Sequence, residues 1–160
     1  MSSKNEVREA KAKDATEIHG LASSLAETVG DTPPTEEAIR ARLEELLGEP
    51  RARVLVAENE VGVLGVVSFW IKPDLGHGDV VVEVPMLVVA EDHRRTGVGK
   101  LLMDEVLNVA RDNDADLIEL VATSANVAAR EFYSSLGFIE ADVVSLEFVG
   151  SQEDPPDPDE

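Results

Sequence analysis

The stretch DHRRTGVGKLL, residues 92–102, sets two arginines, two glycines and a lysine between an apolar run and a segment of helical periodicity. Those residue types, in that order, suit a loop that holds phosphate. Glycines let the backbone turn tightly and approach a ligand closely. The N-terminus of the helix that follows aims unpaired N–H groups and a positive dipole end at an anion. Three loop patterns compete. A Walker-type loop needs a glycine where Arg94 stands, and Ser or Thr where Leu101 follows Lys100. A dinucleotide fingerprint needs a third glycine where Leu102 stands, and it normally follows the first strand of an alternating parallel unit. The pattern Arg/Gln-x-x-Gly-x-Gly/Ala is met by Arg94, Gly97 and Gly99. A basic turn without a ligand is the plainer alternative, and six residues alone do not separate the two.

The other residues able to do chemistry are few. Tyr133 is the only tyrosine, and Glu83 is the only charged residue in VVVEVPMLVV, residues 80–89. Histidines stand at 19, 77 and 93, with no cysteine and no H-x-x-x-H pair, which gives no metal signature.

The elements that must position these groups can be read from periodicity. VREAKAKDATEIHGLASSLAE predicts a short strand, then a helix capped near Asp14 or Thr16 with Ile18, Leu21, Ala22 and Leu25 on one face. After the break at GDTPP, a second helix starts at a Thr35 cap and stops at Gly48. RVLVAENEVGVLGVVSFW predicts a hairpin turning near Asn59, and IKPDLGHGD, residues 71–79, a loop. The run 80–89 predicts a central strand with an irregularity at Pro85, since proline cannot donate to a ladder. A helix over GKLLMDEVLNVARDN, a strand over ADLIELVAT, a helix from Asn126 to Gly137 and a final strand over VVSLEFV complete the chain. The order β-α-α-β-β-β-α-β-α-β indicates one mixed α/β domain over residues 1–150. The tail SQEDPPDPDE, residues 151–160, is acidic, proline-rich and without apolar residues, the composition of a disordered segment.

Composition narrows the function. With 160 residues, 43% of them apolar, the chain can bury a substantial core. It has no cysteine, no apolar core of signal-peptide type at its start and no run of membrane-spanning length, which points to a cytoplasmic protein. Thirty-three acidic residues face 14 basic ones, a net charge of −19, which argues against nucleic acid and anionic membrane as partners. Such a surface is well hydrated and could favour a cationic substrate. Its self-repulsion is screened by salt, so adaptation to high salt predicts a melting temperature that rises with NaCl; maximal stability at low ionic strength would sink that idea. The pairs Glu36–Glu37 and Glu44–Glu45 fall on a solvated helix face or on a cation-attracting cleft.

The strand VVVEVPMLVV, the loop EDHRRTGVGKLL and the helix NVAAREFYSSLGF, at this spacing and after a helix pair and a hairpin, resemble the GNAT superfamily of N-acetyltransferases. The resemblance runs from about Val80 to Val149. It implies a single domain with a central mixed, mostly antiparallel sheet flanked by helices, and acetyl-CoA as co-substrate. The pyrophosphate would lie on the amides of Arg95, Thr96, Gly97, Val98, Gly99 and Lys100, with Arg94, Arg95 and Lys100 adding charge. Leu87, Val88 and Val89 would pair through their main chain with the pantetheine arm, and a strand N–H near Val88 would polarise the thioester carbonyl. Asn126 would bond the same arm, although a helix N-cap explains it equally well. Tyr133 would protonate the departing thiolate, and Glu83, eleven positions before Arg94, would take the proton of the attacking amine. The alternatives are a packed core tyrosine and a salt-bridged strand carboxylate, with His77 and His93 as rival bases. The implied reaction is direct acetyl transfer to a primary amine, on a small molecule or a protein, without a metal. A CoA-binding or protein-interaction module of the same fold is the rival, and a homodimer stays open.

Overall fold

The computed structural model describes residues 4–150, so the tail at 151–160 lies outside the described residues. The elements are β1 (Glu6–Glu9), α1 (Ala15–Val29), α2 (Glu36–Leu47), β2 (Ala52–Asn59), β3 (Gly62–Asp74), β4 (Asp79–Val89), α3 (Val98–Asp112), β5 (Leu117–Leu120) and α4 (Val127–Ser135). The five strands form one sheet in chain order. Pairing is antiparallel from β1 to β4 and parallel between β4 and β5.

Local chemistry explains most of the boundaries. Thr35 caps α2 by accepting the Ala38 N–H at 3.1 Å, and α1 ends where Gly30 takes a left-handed φ of 79°. Asn59 Oδ1 accepts the Val61 N–H at 2.8 Å and closes the β2–β3 turn. Asp14 is the α1 N-cap residue, but its carboxylate turns to Arg8 instead of the helix amides.

The layers follow from side-chain alternation. Ile18, Leu21 and Leu43 of α1 and α2 pack with Val54, Val56, Val66 and Val88 on one face of the sheet. On the other face Val98, Leu102, Met103 and Val106 of α3 pack with Leu55, Val67, Phe69, Val82 and Val84. α4 and the turn after it lie on that second layer through Phe132, Leu136 and Phe138.

Three expectations need correction. The segment 71–79 is not all loop, because Ile71–Asp74 continue β3 and pair with Val82, Val81, Val80 and Asp79. The strand expected over 115–123 is only Leu117–Leu120, and its last partner on β4 is Val84. The final strand expected over 143–149 is not formed, and the chain order observed is β-α-α-β-β-β-α-β-α.

The second correction has its cause at Pro85, where the expected irregularity is present. The β3–β4 register jumps from Ser68↔Met86 to Trp70↔Glu83, leaving Phe69 opposite both Val84 and Pro85. This bulge inverts the facing of β4. Val80, Val82 and Val84 face α3 before it, Leu87 and Val89 face α3 after it, and Met86 and Val88 turn to the α1–α2 side. Beyond the bulge β4 leaves β5, and one edge of Pro85–Val89 has no partner strand among the described residues.

Candidate active site

The open edge of β4 leads straight into the basic loop. Alternate residues of a strand present their main chain to opposite edges. Ala90 N–H donates to Leu64 O at 2.8 Å, which fixes Val88 and Met86 toward β3 and turns the main chain of Leu87 and Val89 to the open edge. Arg94 Nε donates to Val89 O at 3.3 Å, consistent with that facing. The strand N–H expected near Val88 is therefore not that of Val88 itself; Leu87 and Val89 carry the outward ones. After β4 the chain makes one short turn over Glu91–His93, and the Thr96 hydroxyl donates to His93 O. Arg95 has φ 64° and Gly97 φ 91°, a left-handed pair of corners that turns the backbone into α3. Gly97 caps α3 with no side-chain bond, so the N–H groups of Val98, Gly99 and Lys100 point out of the helix end without an intrahelical acceptor. Lys100 is held by Asp104 at 2.9 Å, one turn on, so its charge is shared.

Gly99 has a packing reason that the sequence reading did not contain. A β-carbon there would lie 3.0 Å from Phe132 Cζ and 3.6 Å from Val89 Cγ2. Glycine lets Phe132 of α4 close on the start of α3. Gly65 was also missed. It sits under the cradle, where a β-carbon would meet Val88 O at 3.1 Å and Val98 Cγ1 at 3.2 Å. Asn126 is an N-cap, its Oδ1 accepting the Ala129 N–H at 3.2 Å, which leaves its amide NH2 for a ligand. Tyr133 stacks edge-to-face on Phe132 at 5.2 Å and on Phe138 at 5.7 Å. Burial pushes its phenol up to about 12.

The sequence profile of the Acetyltransferase (GNAT) family matches residues 15–138. The chain belongs to the GNAT acetyltransferases. Mycothiol acetyltransferase of Beutenbergia cavernae is 33% identical over 105 residues, 65% of this chain and 34% of that protein. The chain thus spans about a third of the length of that relative. Among solved structures, an aminoglycoside N-acetyltransferase in complex with CoA is similar at TM-score 0.81 and 20% identity, with 94% of this chain and 97% of that one covered. A transcriptional regulator from Bacillus halodurans C-125 also reaches TM-score 0.81, at 19% identity over 91% and 99% of the two chains. Ribosomal-protein-alanine N-acetyltransferase from Brucella melitensis biovar Abortus 2308 gives 0.70 and 24%, over 91% and 99%. At these identities the structures share the fold alone.

In this GNAT-family chain Glu83 stands just before the β4 bulge, on the face turned away from α3. Its carboxylate lies 2.5 Å from Lys72 Nζ. That bond holds the Lys72 ammonium above the ordinary lysine range. Glu119 of β5 is the register partner of Glu83. At the β3–β4 turn Asp74 Oδ1 accepts the His77 N–H at 2.9 Å and lies 3.1 Å from His77 Nδ1. Those bonds, the backbone one first, keep the Asp74 carboxyl below its usual range. His77 Nε2 is 3.9 Å from Glu119 Oε1, so His77 borders the Glu83 face, whereas His93 belongs to the turn after β4. Lys72 and Glu119 were missed, because cross-strand partners depend on a register that composition does not reveal. Glu36 takes the Thr16 hydroxyl at 2.5 Å and Glu45 pairs with Arg42 at 2.9 Å, on the solvent side of α2.

Proposed function

We propose that this chain transfers the acetyl group of acetyl-CoA to a primary amine by direct attack. The observation that carries the reading is the open β4 edge running into a glycine corner and an uncapped helix end, with Glu83 and Tyr133 on the strand and helix beside it. An open strand edge suits an amide-containing arm, and the amides of Val98–Lys100 with Arg94 and Arg95 suit its pyrophosphate. The thioester supplies an activated acetyl group. Leu87 and Val89 offer outward N–H groups to its carbonyl oxygen as charge develops there. A primary amine has a pKa of about 10.4 and is almost wholly protonated at neutral pH. Glu83 accepts the proton, directly or through water, so that the nitrogen lone pair can attack. The C–N bond forms, the C–S bond breaks, and the thiolate leaves beside the Tyr133 hydroxyl. The arrangement holds both reactants in one orientation, which lowers the entropic part of the barrier.

Lys72 on Glu83 is the observation that favours a second reading, a CoA-binding module without turnover. An ammonium acceptor that displaces Lys72 from the carboxylate reconciles the pair with catalysis. The test is thiol release from acetyl-CoA against an amine panel that includes an alanine N-terminal peptide, a lysine peptide, an aminoglycoside and polyamines. Amine-dependent release is expected, with kcat/KM at neutral pH reduced about 10²-fold or more in Glu83→Gln, in the range of a lost general base. CoA that raises the melting temperature without release on any amine favours the module. A melting temperature indifferent to CoA overturns both readings.

A further inference from the structure

The Lys72 ammonium lies at the place that an acceptor nitrogen would have to reach. Lys72 faces Val81 across the β3–β4 ladder and Glu83 faces Trp70, so the ion pair runs diagonally between the strands. Ile71, Val82 and Ile118 pack toward α3, which turns Lys72, Glu83 and Glu119 together to the opposite face. A base takes a proton only from a group within about 3 Å, or through one water. Lys72 Nζ, 2.5 Å from Glu83 Oε2, fills that first position.

The pair can exchange. Its side chains are 41% and 44% exposed, and pairs at such exposure are weakly held and screened by salt. A displaced Lys72 also keeps acidic neighbours. Glu119 stands opposite Glu83 on the parallel β5, and Asp74 lies two residues from Lys72 on the same face of β3. Both carboxylates already attract the Lys72 ammonium. His77 is the remaining group on this side, 3.1 Å from Asp74 Oδ1 and 3.9 Å from Glu119 Oε1.

We propose that Lys72 guards Glu83: it occupies the carboxylate until an acceptor ammonium takes its place, and so restrains hydrolysis of the thioester by water. The inference rests on the acetyl-transfer reading with Glu83 as base. Water arrives neutral. If Glu83 took a proton from it, the carboxylate would lose the charge that binds Lys72, and the ammonium would lose its nearest partner. An acceptor ammonium brings its own charge, so one cation replaces another and Lys72 turns to Glu119 and Asp74. In the restrained reaction the water oxygen bonds to the acetyl carbon, one water proton goes to Glu83 and the C–S bond breaks. Acetate and the CoA thiol leave, with one proton released to solvent in balance. Lys72 is a positioning residue, since it acts through Glu83.

The test is thiol and acetate release from acetyl-CoA by the full chain with no amine present. Wild type is compared with Lys72→Met, Lys72→Arg and Lys72→Met/Glu83→Gln. Lys72→Met should hydrolyse acetyl-CoA about fivefold faster than wild type, the upper end of what a half-exposed pair can hold back. Lys72→Arg keeps the charge and should stay at the wild-type rate. The double variant should lose the gain, because the gain needs Glu83. The gap between wild type and Lys72→Met should narrow at high NaCl, where the pair is screened. A merely structural Lys72 does not give this pattern, since damage to the sheet does not raise a rate that then depends on Glu83. Equal hydrolysis in wild type and Lys72→Met overturns the proposal. So does a gain that survives in the double variant, or an acetyl group found on Lys72 by peptide mass spectrometry, which would make it an acceptor. If CoA still raises the melting temperature and amines still drive thiol release, such a result removes the guard and leaves acetyl transfer standing. A melting temperature indifferent to CoA removes both.

Discussion

Tyr133→Phe should lower kcat for acetyl transfer by about 10²-fold, the effect of removing one positioned donor, while CoA affinity stays within about twofold. Phe132 and Phe138 hold Tyr133 edge-to-face, and phenylalanine keeps both contacts, so the variant removes the hydroxyl and little else. Burial pushes the phenol up to about 12, which keeps it protonated across the neutral range and makes it a donor rather than a base. On the proposed reading the protonated Tyr133 hydroxyl donates its proton to the leaving sulfur. Two results follow. No loss of activity between pH 8 and 10 traces to this phenol, since it stays protonated there. The Phe variant also keeps the wild-type melting temperature, which separates a lost donor from a lost core contact. Wild-type kcat in Tyr133→Phe would remove Tyr133 from the reaction.

The parts of this fold that were legible in the sequence are those set by neighbours in the chain. The cap at Thr35, the helix stop at Gly48, the turn at Asn59 and the irregularity at Pro85 each rest on one residue acting within a few positions. The left-handed corner before α3 was legible for the same reason: it falls on Gly97, in a loop where tight turning was expected of the glycines. What was not legible depends on partners distant in sequence. Lys72-Pro73-Asp74 looks like a loop, yet β4 pairs with it because the hairpin is long and Pro73 stands near its end, opposite Val80. VVSLEFV has every local mark of a strand, but alternation declares a preference and supplies no edge to bind. β5 is short because the bulge at Pro85 steers β4 away, a consequence two elements removed. In the site, Glu83 and Tyr133 could be singled out by type and place. The Lys72 partner of Glu83 and the Gly99–Phe132 contact exist only once register and helix packing are fixed. The main chain of residues 87–89 is a compact case: which of its N–H groups faces the open edge is set by the ladder and not by the residue types.

Arg8→Met should destabilise the fold by about 3 kcal/mol, the lower end for breaking a buried ion pair by removing one partner. Asp14 is 2% exposed, and Arg8 grips it with two bonds, Nη1 to Oδ2 at 2.8 Å and Nη2 to Oδ1 at 2.9 Å. Lys11 N–H adds a third at 2.7 Å. Without the guanidinium the carboxylate stays buried at the start of α1 with a single backbone donor. The variant then gives up the grip that ties β1 to the α1 N-terminus. For a domain of this size each kcal/mol moves the melting temperature by about 2–4 °C, so a fall of roughly 6–12 °C is expected. Glu58 also bonds Arg8, at 2.8 Å, but it is solvated, and Glu58→Gln should change little. The pair also sets an acid dependence. The Arg8 bond is the main cause that holds the Asp14 carboxyl below its usual range, against the opposing effect of burial. A carboxyl depressed in the folded state contributes stability above its unfolded pKa of about 3.9 and loses it as pH falls through the lower folded value. Wild type should therefore lose its margin over Arg8→Met below about pH 4. Arg8→Met/Asp14→Leu, which removes both charges together, should recover most of the loss at pH 7. Urea midpoints measured from pH 3 to 7 decide the matter. A constant gap between wild type and Arg8→Met over that range would mean that Arg8 acts by packing its side chain, not by holding Asp14 ionised.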